Sequence, residues 1–111
     1  MEKKYSEAVP LYQQFLEKTP GDNTYRSLAM LALAGCYEGM GDAEKALDML
    51  KRITSGPEGP CSDLAAMNLA RIYRLTGQTE KSKETLNEFA AKYKNSPFLP
   101  IIQAQIAKEV S

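Results

Sequence analysis

Apolar residues recur at intervals of three and four along almost the whole chain, which is the spacing of one face of an α-helix. Glycine and proline interrupt this pattern at the places where turns must fall. The pattern predicts six helices, which cover approximately residues 5–18, 23–40, 43–53, 62–75, 79–93 and 97–110. We therefore expect an all-α protein.

Four residues mark the ends of these predicted helices. Gly41 and Gly77 follow the second and fourth helices, where glycine commonly ends a helix in a left-handed conformation. Asp42 precedes the third helix and Thr79 opens the fifth, and both residue types cap helices with a side-chain oxygen. We expect two similar turns, each followed by a capped helix.

The last predicted helix is apolar on one side only. Phe98, Ile102 and Ile106 form a single stripe. The polar residues of the helix fall largely outside it, namely Gln103, Gln105, Lys108 and Glu109. A helix with this one-sided polarity suits a cap over the end of a stack of helices.

A unit of 36 residues occurs twice. Residues 33–41 are echoed by residues 69–77, which places Gly41 and Gly77 36 positions apart. The match continues past each glycine in three further pairs: Ala46 and Ser82, Leu50 and Leu86, Ile53 and Phe89. We expect one domain, 1–111, composed of the second helix of a truncated repeat (1–20), two full repeats (23–56 and 61–95) and a capping helix (97–110).

The repeated unit resembles the tetratricopeptide repeat, whose pattern combines a leucine followed by a small residue, a tyrosine, a turn glycine, an alanine and a large apolar residue. The matching positions are Leu33, Ala34, Tyr37, Gly41, Ala46 and Leu50 in the first full unit, and Leu69, Ala70, Tyr73, Gly77 and Leu86 in the second. The pattern's leading tryptophan is Met30 and Ala66 here, Ser82 replaces an alanine, and no proline occupies the usual closing position of the repeat near Lys94.

This resemblance implies a fold and a function. The fold is a right-handed α-α superhelix, a TPR-like solenoid of about six antiparallel helices. The function is that of a non-catalytic protein–protein interaction scaffold, which binds a peptide or protein segment in its concave groove.

Two repeat endings, residues 15–20 and 89–97, resemble those of a bacterial envelope subgroup. That subgroup includes the TolA-binding cell-division coordinator and the ancillary subunit of the Sec translocon. The resemblance implies a periplasmic or membrane-anchored envelope protein, and without it the compartment would be the cytoplasm. It also leaves open an alternative function, an oligomerisation segment of a larger bacterial envelope protein.

In the tetratricopeptide family, the first helix of each unit lines the groove. Helical spacing leaves eight residues of these helices free for a partner: Leu28, Leu31, Glu38, Leu64, Met67, Asn68, Arg71 and Arg74. The apolar members either bind a partner or are covered by the protein itself. The two arginines either contact an acidic segment, pair with Glu38 or remain in water.

Family members that bind chaperone tails hold a terminal carboxylate with lysine, asparagine and arginine side chains. Leu31 and Gly35 stand where a lysine and an asparagine would be needed, and only Asn68 matches a clamp asparagine. We therefore expect a partner other than a chaperone tail.

The first helix carries an apolar stripe that is wider than one neighbouring helix covers. Its members are Leu11, Tyr12, Phe15 and Leu16, and the first helix of the same repeat would precede the chain. Because exposed apolar area is unfavourable in water, we expect this edge to self-associate, most simply as a homodimer.

The composition of the chain argues against several other classes of function. Lys plus Arg number 14 and Asp plus Glu number 14, so no net positive charge favours nucleic acid. The longest apolar stretch, residues 28–37, is far shorter than the roughly 20 residues of a membrane-spanning helix. The chain has no histidine, the most versatile proton carrier and metal ligand, so we expect neither enzyme activity, nor a cofactor, nor a metal.

The two cysteines, Cys36 and Cys61, are predicted to be free thiols. Cys36 lies late in the second helix and Cys61 just before the fourth, and these helices are expected to run parallel in neighbouring repeats. Their sulfurs would then be too far apart for a disulfide bond.

Overall fold

The computed structural model describes residues 2–21, 24–56 and 58–110, and this part of the chain is built from α-helices without a strand. The described residues form six helices: α1 (Glu2–Lys18), α2 (Thr24–Gly39), α3 (Ala43–Ser55), α4 (Ser62–Leu75), α5 (Thr79–Lys92) and α6 (Leu99–Val110). The prediction of an all-α protein is confirmed. Asn23, the predicted first residue of the second helix, lies outside the described residues.

The chain divides into two compact units, residues 1–61 and residues 62–111. The first unit contains α1, α2 and α3, and α2 packs against both of the others. The second unit contains α4, α5 and α6, and α5 packs against both of the others. The boundary falls beside residue 61, where the second full repeat is predicted to begin.

Small residues lie in the core of the first unit. Ala34 of α2 and Ala46 of α3 are buried, and Leu50 and Ile53 are buried one and two turns further along α3. A side chain no larger than a methyl group lets two helix backbones approach closely, so these positions are packing positions. Both alanines are at positions where the sequence matches the repeat pattern.

An arginine ties α1 to α2. The Nη1 atom of Arg26 donates hydrogen bonds to the carbonyl oxygens of Leu16, at 2.6 Å, and Thr19, at 2.8 Å. The last carbonyls of a helix have no partner within the helix, so Arg26 supplies one at the end of α1. A second hydrogen bond joins the same two helices, because Gln13 Nε2 of α1 donates to the hydroxyl of Tyr37 of α2 at 3.3 Å.

The core of the second unit lies among its three helices. It consists of Ala66, Ala70, Leu86, Phe89, Tyr93 and Ile102, with Met67, Phe98, Leu99 and Ile106 packed against it. The predicted stripe of Phe98, Ile102 and Ile106 on the last helix is therefore confirmed as a packing face.

Ser82 is buried in this unit although it is polar. Its hydroxyl donates a hydrogen bond of 3.0 Å to the carbonyl oxygen of Ala70, across the crossing of α5 and α4. A buried hydroxyl needs such a partner. The serine is therefore small enough for the alanine position of the repeat and adds a link between the two helices.

The turns after α2 and α4 have the same hydrogen bonds. Gly41 and Gly77 have φ angles of +81° and +80°, the left-handed region that favours glycine. In each turn, the backbone N–H of the residue after the glycine donates a hydrogen bond of 2.8 Å to the carbonyl oxygen of the repeat tyrosine. The pairs are Asp42 with Tyr37 and Gln78 with Tyr73. The structure therefore repeats with the 36-residue period of the sequence.

The helices that follow these turns begin differently. Asp42 caps α3, because its Oδ1 accepts a hydrogen bond from the amide of Lys45 at 3.2 Å. The predicted cap at Thr79 is wrong: the N-cap of α5 is Gln78, whose side chain makes no capping bond. The side-chain amide nitrogen of Gln78 instead donates a hydrogen bond to the hydroxyl of Thr76.

The last helix begins at Leu99, two residues after the predicted start. Ser96 organises the preceding turn: its hydroxyl accepts from the amide of Phe98, and its carbonyl accepts from the amide of Leu99. The same hydroxyl donates to Asp63 Oδ2 at 2.7 Å, which connects this turn to the start of α4.

Both cysteines are buried free thiols, as predicted. Among the described residues, no helix combines the length and the hydrophobicity that a membrane span requires. The same residues contain no group of three or more side chains suited to hold a metal ion.

Candidate functional site

The second unit contains a cavity of about 190 Å³ between α4, α5 and α6. Four of its lining residues come from α4, namely Met67, Asn68, Arg71 and Arg74. The sequence had assigned these four to a partner-binding surface, and the structure brings them together. Leu64, the fifth residue predicted on this helix, does not line the cavity.

Apolar side chains form the walls. Ile102 of α6 belongs to the buried core and Leu86 of α5 lies beside it, whereas Ile101 is 61% exposed at the outer end. Met67 of α4 is half-buried opposite them. The wall therefore runs from the core to the surface, so the cavity is open to solvent at one end.

The polar groups of α4 hold one another in position. Asn68 Nδ2 donates to the carbonyl oxygen of Leu64 at 3.0 Å, which fixes the orientation of the amide. Its Oδ1 then accepts from Arg71 Nε at 3.3 Å and Nη2 at 3.2 Å. The guanidinium of Arg71 is therefore positioned at the cavity by a neighbour one turn away.

Arg74 lies one turn beyond Arg71 and is exposed. Within the described part of the chain, no carboxylate lies within ion-pair distance of its guanidinium. It therefore offers a planar set of donors at the cavity, suited to a carboxylate.

Two polar residues of α6 also line the cavity, and the sequence had placed both on the polar face of that helix. Gln105 Nε2 donates to Glu109 Oε1 at 3.3 Å, and both side chains are half-buried. The second carboxylate oxygen, Glu109 Oε2, is buried and has no hydrogen-bond partner. Both residues stand outside the apolar stripe of α6, as the sequence predicted, but they are half-buried and line the cavity.

The sequence contained a signal for this arrangement. A shift of 36 residues aligns α6 with α4, and it sets Gln105 against Leu69 and Glu109 against Tyr73. Leu69 and Tyr73 are both buried, as are their counterparts one repeat earlier. In α6, two polar side chains therefore occupy positions that the full repeats fill with a leucine and a tyrosine.

The predicted residues of the first unit lie on α2. Leu28 is exposed, and Leu31 and Glu38 are half-buried. Glu38 stands at the repeat position of Arg74, so the two units carry opposite charges there. The apolar and acidic surface of α2 thus differs chemically from the surface of α4.

The predicted self-association edge lies on α1. Leu11 is 66% exposed and Phe15 is 40% exposed, whereas Tyr12 and Leu16 are half-buried. Two of the four side chains therefore present most of the apolar surface of this edge, and self-association through it stays a prediction.

Comparison with known protein families agrees with this architecture. A family model described as tetratricopeptide repeat matches residues 1–55, and a second model with the same description matches residues 64–96. No curated protein and no solved structure matches the sequence.

Paired antiparallel helices that recur with a fixed period and meet through small residues define a helical-repeat protein. The chain belongs to the tetratricopeptide repeat family. Repeats of this family generally mediate protein–protein interaction, and their domains are typically non-catalytic. The guanidinium, amide and carboxylate groups at the cavity are suited to such recognition, because they bind by charge pairing and hydrogen bonding.

Proposed function

We propose that this protein is a non-catalytic scaffold that binds a peptide or a segment of another protein. The observation that supports this proposal is the cavity of the second unit, where apolar walls and converging polar side chains lie together. Sites that recognise a ligand combine these two features: apolar area supplies affinity, and a few polar groups fix orientation.

The proposed contact surface has two parts. In the second unit it consists of the cavity together with Leu64 on the same helix. In the first unit it consists of Leu28, Leu31 and Glu38 of α2. Because Glu38 and Arg74 have opposite charges at the same repeat position, the two parts favour different chemistry in the segment that they contact.

A library of displayed random nine-residue peptides tests this function. We expect the full chain to select a family of related sequences, since a preformed pocket favours particular side chains. The selected peptides, when synthesised, should bind the wild-type chain and lose affinity at least about tenfold with Ile101→Glu, because a charge would enter the apolar wall. Failure to select any peptide would contradict the proposed function.

Leu75→Glu is the matched control for that variant. Leu75 is 65% exposed, close to the exposure of Ile101, and does not line the cavity. Both substitutions add one negative charge to an exposed apolar position, so both should leave stability nearly unchanged. Equal loss of binding in the two variants would show that the peptides bind outside the cavity.

The exposed side chains of α1 favour a second candidate, an oligomerisation segment of a larger bacterial envelope protein. An exposed leucine and phenylalanine one turn apart form an apolar patch on α1. The two functions differ in a simple property: an oligomerisation segment has a mass in solution that rises with concentration, whereas a scaffold for other proteins remains monomeric.

A further inference from the structure

One residue that lines the cavity of the second unit departs from the repeat. Tyr37 and Tyr73 are buried in the two full repeats, and Glu109 stands at the equivalent position of α6. A glutamate side chain has neither the volume nor the apolar surface of a tyrosine ring. Glu109 therefore fills less of the space between α4, α5 and α6 than a tyrosine would.

A polar residue at this position has a simple explanation if this face of α6 is in contact with water. That explanation requires the carboxylate to be solvated. Glu109 Oε2 is instead buried and accepts no hydrogen bond. A buried acceptor without a partner is unfavourable, so the site is incomplete until a donor reaches this oxygen.

The α4 side of the cavity requires a hydrogen-bond acceptor from the ligand. Arg74 offers guanidinium donors and is not paired with a carboxylate among the described residues. A ligand that satisfies both walls presents a donor to Glu109 and an acceptor to Arg74. The backbone N–H of one residue and the acidic side chain of a neighbouring residue supply these two groups within one short segment of protein.

The size of the cavity indicates what lies between those two groups. An engineered cavity of about 150 Å³ with aliphatic and aromatic walls accommodates a benzene molecule. The cavity described here has about 190 Å³ and is bordered by Met67, Leu86 and Ile102. It therefore has room for the ring of one phenylalanine.

We propose that this cavity binds an internal segment of a partner protein in which a phenylalanine or similarly large apolar residue is followed by an acidic residue. The apolar side chain takes the place of the missing repeat tyrosine. Its backbone N–H donates to Glu109 Oε2, and the acidic side chain pairs with Arg74. This inference rests on the proposed scaffold function and names the chemistry of its partner.

A basic partner fits the site less well. A lysine near Glu109 would pair with the carboxylate, but Arg71 and Arg74 both line the same cavity and would repel it. A second copy of this chain offers Phe15-Leu16-Glu17 on α1, which has the proposed composition but a helical backbone whose amides are already hydrogen-bonded. Neither occupant supplies both the free N–H and the carboxylate.

A panel of blocked synthetic peptides tests the inference. All share the frame acetyl-Gly-Ser-Gly-X-Z-Gly-Ser-amide, with Phe-Asp, Ser-Asp, Phe-Asn or Phe-Lys at X-Z, and a fifth has N-methylated phenylalanine before aspartate. Each is titrated into the full isotope-labelled chain and followed by nuclear magnetic resonance. We expect the Phe-Asp peptide to shift the methyl signals of Met67 and Ile101 and to bind at least about tenfold more tightly than each of the other four.

Three variants assign the contacts. Glu109→Tyr restores the residue of the full repeats, so it should abolish binding while the melting temperature stays equal or rises. Arg74→Glu should lower the affinity for the Phe-Asp peptide about tenfold or more and raise the affinity for the Phe-Lys peptide. Arg52→Glu is the control charge reversal, since Arg52 of α3 is exposed and does not line the cavity. It should leave the affinity for both peptides unchanged.

The outcomes separate this inference from the function on which it rests. If the Phe-Asp peptide binds equally well to wild type, Glu109→Tyr and Arg74→Glu, the inference is overturned. It is also overturned if the panel fails to bind while displayed-library peptides bind at Leu28 and Leu31, and in that case the scaffold function stands. If neither the panel nor any library peptide binds, both proposals are wrong.

Discussion

Single small residues determine how closely the helices of each unit approach. Ala34 and Ala70 occupy the same repeat position and are each 3% exposed. Gly35 directly follows the first of them, yet a Cβ atom there would meet nothing within 4 Å. Adjacent positions on one helix therefore differ completely in the volume that they tolerate.

This contrast leads to a stability prediction. Ala34→Leu and Ala70→Leu should each lower the free energy of unfolding by about 1 to 3 kcal/mol, because the larger side chain forces packed helices apart. Gly35→Ala should instead raise it by about 0.5 to 1 kcal/mol through lower backbone entropy in the unfolded chain. Denaturant melts measure all three. Equal and negligible changes would contradict the assigned packing positions.

A second glycine of α2 is predicted to behave in the opposite way. The ring of Tyr5 on α1 lies against Gly39, where an added Cβ would overlap it. Gly39→Ala should therefore be less stable than Gly35→Ala by about 1 kcal/mol, the cost of a small overpacking. In a Tyr5→Ala background the difference between the two alanine variants should disappear, and its persistence would exclude the ring as the cause.

The two thiols should react only slowly in the folded protein. Both cysteines are buried, and burial raises the pKa of the Cys36 thiol above its ordinary value of 9.0, so little thiolate exists at neutral pH. Titration with a thiol reagent should count two thiols in denaturant and far fewer in the native state. Because the unfolded chain loses this proton first, stability should fall as the pH rises above 9.0.

The residues that the sequence explained and those that it did not differ in a physical way. Ala34, Tyr37 and their repeats follow from periodicity, because packing of neighbouring helices imposes the same volume in each unit. The role of Ser82 could not be read in this way, since its hydrogen bond to Ala70 depends on a distance across two helices. The buried carboxylate oxygen of Glu109 was not predicted, because a charged side chain suggests exposure, whereas the same repeat position is buried in the full repeats.

At the scale of the helices, the first helices of the two repeats, α2 and α4, end alike, whereas the second helices, α3 and α5, begin differently. The turns at Gly41 and Gly77 share their φ angles and backbone hydrogen bonds, and this was predictable from glycine alone. The helix starts were less predictable, because Thr79 is a good capping residue that lies one position too late. Turn geometry fixes which residue becomes the N-cap, and it selects Gln78.

The difference between these two starts can be tested by exchanging the capping residues. Asp42→Ala should destabilise the protein by about 1 kcal/mol, because the amide of Lys45 loses its acceptor. Gln78→Ala should cost little, since that side chain makes no capping bond. Gln78→Asp should stabilise by a similar amount of about 1 kcal/mol, because the same backbone turn precedes it. Thermal melts of the three variants would contradict this account if Gln78→Ala were as damaging as Asp42→Ala.

At the scale of the whole molecule, the exposed edge of α1 makes a prediction about mass in solution. If Leu11 and Phe15 associate, light scattering should show a mass that rises with concentration towards a dimer. Phe15→Glu should then remain monomeric, because a charge would have to enter an apolar contact without a partner. Leu75→Glu, a similar change in the second unit, should leave the association unaffected.

A wild-type chain that stays monomeric at high concentration would contradict self-association through α1. In that case Phe15→Glu would alter stability alone, and the scaffold function would remain the better account of the molecule. The fold class and repeat length were readable from sequence because both arise from local periodicity. Self-association stays a prediction, because it depends on exposed area that the sequence alone does not measure.

The packing partners described for the six helices have a consequence for how the chain folds. The helix pairs that pack extensively, α1 with α2, α2 with α3, α4 with α5 and α5 with α6, are all neighbours in sequence. Each contact therefore closes only a short stretch of chain, and the entropy lost in bringing its two sides together is small. Helical proteins dominated by such local contacts fold within microseconds to milliseconds. Synthesis from the ribosome would therefore allow each hairpin to form as soon as its second helix emerges.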